Sequence, residues 1–318
     1  MNILAKKLLT AGASLVIGLA LATTSASAAN KKIAVSVPYL GFPIFAYAMK
    51  AVKDEAAKIG GVDIIELDGQ NSSPKQVADI ENVQVQGVDG ILISPIDVNA
   101  LTATVQSAID GGTPVINVDR RVENVKGLLA FVGADNVAGG EAAARWVMAR
   151  FPDGARIVHL QGQPGSSPAI DRNRGVHNVL DPVKDKYPIV AEQTANFLRA
   201  DGLTVTQNIL QSLDSPPEVI IAANDDSALG AFEALEGLKL QDKVTVIGYD
   251  ALAYGLDSIR QDRLDATVEM QFGEQFRHAL RTMVANLDTK EAQQDRIFKP
   301  FVIDKTNLDK AEQAAESN

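Results

Sequence analysis

Short apolar runs alternate along this chain with longer stretches in which apolar residues recur every three or four positions. Ile33 to Val37 is a run of the first kind. After it, Phe45, Met49, Val52, Ala56 and Ile59 fall on one face of a 3.6-residue period. A helix with one buried face therefore follows Pro43. The same reading predicts strands over 62–67, 90–93 and 115–118, with helices over 74–86 and 99–110. A second series predicts strands over 156–160, 189–193, 219–222 and 244–247, and helices over 169–180, 203–213 and 227–238. Residues 266–269 and 298–302 are further strand-like pieces.

Several of these runs are continuous in Ile, Val and Leu rather than alternating. Such strands are buried on both faces, as in parallel sheets covered by helices. Two βα series of similar size predict an α/β fold with two doubly wound parallel-sheet lobes. The chain is expected to cross between them near Gly133-Ala134-Asp135 and to return through later strands, which makes a multi-strand hinge. The expected division is 29–132 plus about 270–297 for one lobe, and 133–269 plus about 298–310 for the other. The acidic, Ala-rich end from Asp309 predicts a short helix or a frayed tail over 311–318.

The first 28 residues follow another logic. Lys6 and Lys7 precede an apolar stretch from Leu8 to Leu21, and Ala26-Ser27-Ala28 offers small residues for cleavage. That is the pattern of a secretory signal peptide, too short in its apolar part for a comfortable membrane span. In a two-membrane bacterium the product would be free in the periplasm, since the chain has no cysteine to carry a lipid. The net charge of −10 and the lack of any basic run argue against nucleic acid and anionic membrane surfaces as partners.

In open parallel sheets, ligands bind beyond the carboxyl ends of the strands. Here those ends carry aromatic rings, carboxylates, amides and arginines. Phe42 and Phe45 follow the first strand, and Asp119-Arg120 follows 115–118. In the second series come a Gly-rich loop with Ser166, then Arg172, Phe197, Asn224 and Asp250. Asp, Asn and Arg make paired hydrogen bonds to neighbouring hydroxyls, and an aromatic face packs on C–H surface. A polyhydroxylated ring is held that way. Asp97, Asp225 and Asp226 read instead as helix caps, and Arg121 and Arg174 as surface charges.

These residues carry a resemblance. The chain resembles the periplasmic sugar-binding proteins of ABC importers, the group with ribose-, galactose- and inositol-binding members. Pro43-Ile44-Phe45 resembles that family's Pro-Phe-Phe, and Pro114 to Arg120 is similar to the ribose-binding form. Gly162 to Arg172 has the spacing from a Gly-x-Pro-Gly loop to a binding arginine. Asn224-Asp225 and Gly248-Tyr249-Asp250 look like its binding segments, while 132–140, 192–196 and 203–210 look most like inositol-binding members. The resemblance implies a monomeric carrier that closes on a sugar or polyol and docks on an inner-membrane permease, with a chemoreceptor as a second partner in some members. It implies a site of Phe42, Phe45, Asp119, Arg120, Ser166, Arg172, Phe197, Asn224, Asp250 and Met270.

Two positions depart from the pattern. Phe42 stands where ribose binders carry an amide, and Met270 where the family has Gln or Asn. If both line the pocket, they remove hydrogen-bonding capacity from it, and a polyol, deoxy sugar or otherwise less hydroxylated ligand is as open as ribose, galactose or myo-inositol. No nucleotide-binding, nucleophile-elbow or zinc-protease motif is present, and His159, His177 and His278 lie far apart in sequence. His159 sits in a strand run and reads as a core or sheet-face residue. No catalytic residue, metal or cofactor is expected. A receptor for a signalling molecule of the autoinducer-2 type shares the fold and the compartment, and stays open at this point. A lactose-repressor-type regulator does not fit, because a signal peptide stands where DNA-binding helices belong.

Overall fold

In the computed structural model, which describes residues 29–316, the first series folds as successive βα units. β1 (Lys31–Val37), α1 (Pro43–Ile59), β2 (Val62–Asp68), α2 (Ser73–Val85), β3 (Gly90–Ile93), α3 (Thr102–Asp110) and β4 (Val115–Val118) follow in order. Then come β5 (Ala130–Ala134) and α4 (Asn136–Arg150). The second series is β6 (Ile157–Gln161), α5 (Ser167–Leu180), β7 (Ile189–Thr194), α6 (Arg199–Ser212), β8 (Val219–Ala222) and α7 (Asp225–Gly237). It continues with β9 (Thr245–Ile247), α8 (Ala253–Arg260), β10 (Ala266–Glu269), α9 (Phe272–Thr289), β11 (Arg296–Phe298) and β12 (Phe301–Asp304). The leader pattern of residues 1–28 lies outside the described residues.

The first sheet has the order β11-β5-β4-β3-β1-β2, the second β12-β10-β9-β8-β6-β7. All pairs are parallel except β10 with β12. Each sheet thus contains a 2-1-3-4-5 doubly wound order, whose ligand crevice lies where the order reverses. α1 shows how the sequence drives one unit. Pro43 opens it in the turn where a missing N–H costs nothing. Ile44, Phe45, Ala48, Met49, Val52 and Ala56 are buried along one face, and the helix stops at Gly60, with φ 73°.

The structure adds β5, α4, α8 and α9 to the elements that the pattern predicts. It also splits the run 298–302. β11 pairs with β5 in the first sheet and β12 with β10 in the second, so the chain crosses between sheets at Lys299–Pro300. Pro300 has no N–H for a ladder bond, which ends the strand there. The chain also passes between sheets around Asp135 and between β10 and α9, where Gln271 is left-handed (φ 54°). Helix α3 begins at Thr102, three residues later than expected.

The acidic end is docked as far as residue 316, the last one described. After a 3-10 turn at Leu308–Lys310, Ala311 and Gln313 are buried. Gln313 Oε1 accepts from Ala253 N (3.1 Å), and Glu312 Oε2 accepts from Gly273 N (2.8 Å) at the start of α9. The segment therefore braces the crossing between the lobes.

Candidate functional site

The carboxyl ends of the two sheets face each other across a cavity. From the first lobe it is lined by Phe42, Ile44 and Phe45 at the start of α1, Asp119 and Arg120 just after β4, and Phe272 at the start of α9. From the second come Pro168 and Arg172 on α5, Phe197 after β7, Asn224 after β8 and Asp250 after β9. Asp119 (φ 61°), Phe197 (φ 63°) and Asp250 (φ 98°) all have left-handed backbones. Non-glycine residues adopt that region at a cost and cluster in it at functional sites. All three of these residues line the cavity.

Arg172 is fixed from several directions. Its Nε donates to Asn136 Oδ1 (2.9 Å) and its Nη1 to Ala223 O (2.5 Å). Nη2 lies 3.2 Å from Met270 Sδ and 3.6 Å from Asp250 Oδ1. The guanidinium also stacks 4.4 Å from the centroid of Tyr249. The helix that carries it packs against α4 through glycines. A Cβ on Gly140 would stand 2.2 Å from Arg172 O, and one on Gly175 would stand 2.1 Å from Val137 O. Arg120 lies between rings, 5.3 Å from the centroid of Phe45 and 5.7 Å from that of Phe197. Its Nε is 3.7 Å from Asp119 Oδ2, which accepts from Ser94 Oγ (3.3 Å). Asp119 Oδ1 and Arg120 Nε find no hydrogen-bond partner among the described residues.

Burial shapes the charges. It raises Asp119 above the usual carboxylate range despite Arg120 and Arg172 nearby. It pushes Asp250 up to about 7, against the pull of Arg172 and with help from Asp119. It brings Arg120 down to about 10, so this arginine stays cationic at neutral pH. The charged residues lining the cavity are two aspartates and two arginines, a balanced set.

The lobes touch beside the cavity. Val98 N donates to Gly165 O (3.0 Å), Gln163 Nε2 to Asn71 Oδ1 (2.6 Å) and Arg121 N to Ser167 Oγ (3.1 Å). The Arg121 side chain pairs with Asp171, and Phe42 meets Phe197 edge to face at 6.4 Å. These contacts describe a closed arrangement.

The family described as a periplasmic binding protein domain matches residues 33–291. The chain belongs to that family. It is 40% identical over 245 residues to the ribose import binding protein RbsB of Bacillus subtilis, covering 76% of this chain and 78% of that protein. The myo-inositol binding protein of Caulobacter, solved with myo-inositol, superposes with a TM-score of 0.87 at 42% identity, covering 90% of this chain and 97% of that one. A solute binding protein of an ABC transporter from Bacillus halodurans, also with myo-inositol bound, gives 0.85 at 28% identity, over 91% of this chain and 100% of that one.

Within this periplasmic binding protein, two residues expected at the site do not line the cavity. Ser166 is buried at the N-terminal end of α5, and its hydroxyl donates to Gln163 O (2.9 Å), which closes its own loop. Met270 is fully buried with its sulfur against Arg172, so it backs the arginine instead of facing the crevice. Phe42, Phe45, Asp119, Arg120, Arg172, Phe197, Asn224 and Asp250 do line it. Ile44, Pro168 and Phe272 join them. Phe272 opens a helix that the pattern did not predict, although Phe272, Phe276, Ala279, Leu280 and Met283 repeat at helical spacing.

Capping falls on a neighbouring residue. Asn224, not Asp225, caps α7: its Oδ1 accepts from Ser227 N (2.9 Å) while Nδ2 donates to Phe197 O (3.0 Å). Its second amide hydrogen is left for the cavity. Asp225 is fully buried and ties Thr267 Oγ1 (2.7 Å) to Leu252 N (3.0 Å). Asp97 closes a turn, accepting from Asn99 N (2.8 Å) and Ala100 N (3.0 Å). Arg121 lies at the lobe surface and reaches the other lobe, and Arg174 bonds the same Asp171 (2.9 Å).

Proposed function

We propose that this protein is the substrate-binding component of an ABC importer and captures one uncharged, ring-shaped polyol, with myo-inositol as its first ligand. The observation that carries the reading is the cavity's balanced quartet of Asp119, Arg120, Arg172 and Asp250 between Phe42, Phe45 and Phe197. A sugar phosphate would need a net positive site, and an ammonium compound a net negative one. Paired donors and acceptors, whose charges balance when both aspartates are ionised, suit neighbouring hydroxyls on a neutral ring. Asp119 Oδ1 and Arg120 Nε are buried and unpartnered, and ligand hydroxyls would complete them.

The position of Met270 also supports a fully hydroxylated ligand. Of the two apolar departures, only Phe42 is part of the cavity wall. The relatives solved with myo-inositol support the same choice. Residues 1–28 serve as the export signal and are removed; the rest works as a monomer in the periplasm. The closed lobes present the surface that the permease reads, and a chemoreceptor would read the same surface.

A thermal-shift and calorimetric screen of mature protein tests the reading. Its arms are myo-inositol, ribose, allose, xylitol and a sugar phosphate. A ligand at 100 times its dissociation constant adds about 2.7 kcal/mol of stability. The expected order has myo-inositol first. Tighter binding of ribose would reassign the ligand within the class. Binding of the sugar phosphate alone would overturn the argument from balanced charge.

A further inference from the structure

We propose that His159, His177 and Glu192 form a binding site for a divalent transition-metal ion of the zinc class in the second lobe. None of the three is among the residues lining the polyol cavity. In sequence they show no metal-ligand spacing, because three separate elements supply them. β6 and β7 run parallel with His159 and Glu192 as register partners, so both side chains leave the same face of the sheet. α5 brings His177 onto that face. His159 Nδ1 and His177 Nε2 lie 2.7 Å and 3.0 Å from the same oxygen, Glu192 Oε1. The candidate ligand atoms of all three residues lie within 4.8 Å of one another.

The surroundings favour a cation of this kind. Ligands about 2.0–2.1 Å from a tetrahedral zinc stand roughly 3.4 Å apart, so the two nitrogens, now 2.7 Å and 3.0 Å from Glu192 Oε1, have to draw back by about 0.7 Å and about 0.4 Å. Asp181 Oδ1 is 2.9 Å from His177 Nδ1. A carboxylate behind a histidine fixes the tautomer that offers the other nitrogen as ligand. Here that nitrogen is Nε2, the one aimed at Glu192. His177 lies in the last turn of α5, where the helix dipole favours positive charge. Two imidazoles with one carboxylate suit zinc and its neighbours, whereas calcium and magnesium prefer oxygen throughout.

Access is asymmetric. The His159 side chain is 2% exposed and anchors the site, while Glu192 (29%) and His177 (32%) reach solvent. An ion can enter from that side, keep water as its fourth ligand and displace the imidazole protons to solvent. β7 is an edge strand, so the ion would tie it to β6 and α5. Those elements lead to Phe197 and carry Arg172.

Calorimetry of untagged protein, dialysed against a chelator, tests the site with Zn²⁺ alone. The result expected is one zinc per chain at micromolar affinity or tighter, with no heat from Mg²⁺ or Ca²⁺. Co²⁺ in its place should give the visible bands of a tetrahedral N/O site. His177→Ala and Glu192→Gln should each weaken zinc at least tenfold, and Asp181→Asn by about 10–100-fold. All three should still bind the polyol that wild type binds, or match its circular dichroism if no polyol is found, which separates this test from that of the proposed function. Zinc affinity equal in wild type and His177→Ala would place the ion on scattered surface groups. No zinc heat at all would mean that the three side chains form a proton-sharing cluster only. Either result overturns the proposal.

Discussion

Arg121 of the first lobe reaches across to Asp171 of the second with both terminal guanidinium nitrogens, and Asp171 is the residue next to Arg172. One of the contacts between the lobes is thus one residue from an arginine that lines the cavity. Closure around a ligand needs free energy that differs between open and closed forms. Part of it here comes from this pair and not from the ligand.

Asp171→Asn should therefore weaken polyol binding without touching the polyol. The pair is partly exposed, with Arg121 at 31%, and such pairs are worth up to about 1 kcal/mol. Apparent affinity falls with the fraction of closed form, so a loss of about two- to fivefold is expected. Small-angle scattering of the ligand-free variant should show a more extended particle than wild type. Equal affinity and equal scattering would remove the pair from the closure equilibrium.

Arg172→Ala should cost far more. The side chain is buried, holds Asn136 and Ala223, and stands beside Asp250. Its loss removes charged hydrogen bonds and strands a buried carboxylate, together about 3 kcal/mol or more. That cost falls on the fold and should be read as a lower melting temperature, and polyol affinity, read by calorimetry, should fall with it because the cavity loses a lining donor. Gly175→Ala should act on the same arginine indirectly. Its new methyl would collide with Val137 O and push α5 from α4. Overpacking of that kind costs about 1–3 kcal/mol, so both the melting temperature and the polyol affinity should fall.

The repeating units were legible because each strand is a dense apolar run and each helix has one apolar face. β3, β4, β8 and β10 lie where the runs lie. The Phe, Asp, Arg and Asn residues of the cavity were legible because a parallel sheet gathers its strand ends on one edge. What escaped depends on geometry that no spacing encodes. Met270 and Ser166 sit near the crevice in sequence, yet the left-handed turn at Gln271 and the loop bond to Gln163 hold them out of it. The inter-lobe role of Arg121 and the meeting of His159, His177 and Glu192 require register and closure, which only the folded chain supplies.

The place of Met270 gives a selectivity prediction. Met270→Gln should leave the ratio of myo-inositol to ribose affinity unchanged, because the side chain backs Arg172. Phe42→Asn should change it, since Phe42 forms cavity wall. One neutral hydrogen bond is worth about 0.5–1.5 kcal/mol, or roughly two- to tenfold in the ratio. Paired titrations of both ligands on the three proteins decide this. A shift with Met270→Gln but not with Phe42→Asn would reverse the assignment.

Asp250 should make the ligand-free protein less stable as pH rises. Burial pushes it up to about 7, against about 3.9 for an unfolded aspartate. Between those values the folded form holds a proton that the unfolded chain has released. Stability from this group is therefore full below about pH 4 and is lost as pH rises through about 7. Glu269, also raised to about 7 by burial, acts in the same sense, while Glu192, held at about 2, acts in the opposite sense at lower pH. The difference between wild type and Asp250→Asn isolates the one group. The variant should melt higher than wild type at pH 7.5, the gap should shrink toward pH 4, and polyol affinity should drop because a charged acceptor is gone. Melting curves from pH 4 to 8 without ligand, with one titration at pH 7.5, are the measurement. A variant that melts lower than wild type at pH 7.5 would mean that the Arg172 pairing outweighs burial at Asp250, and that the pocket holds its charges without strain.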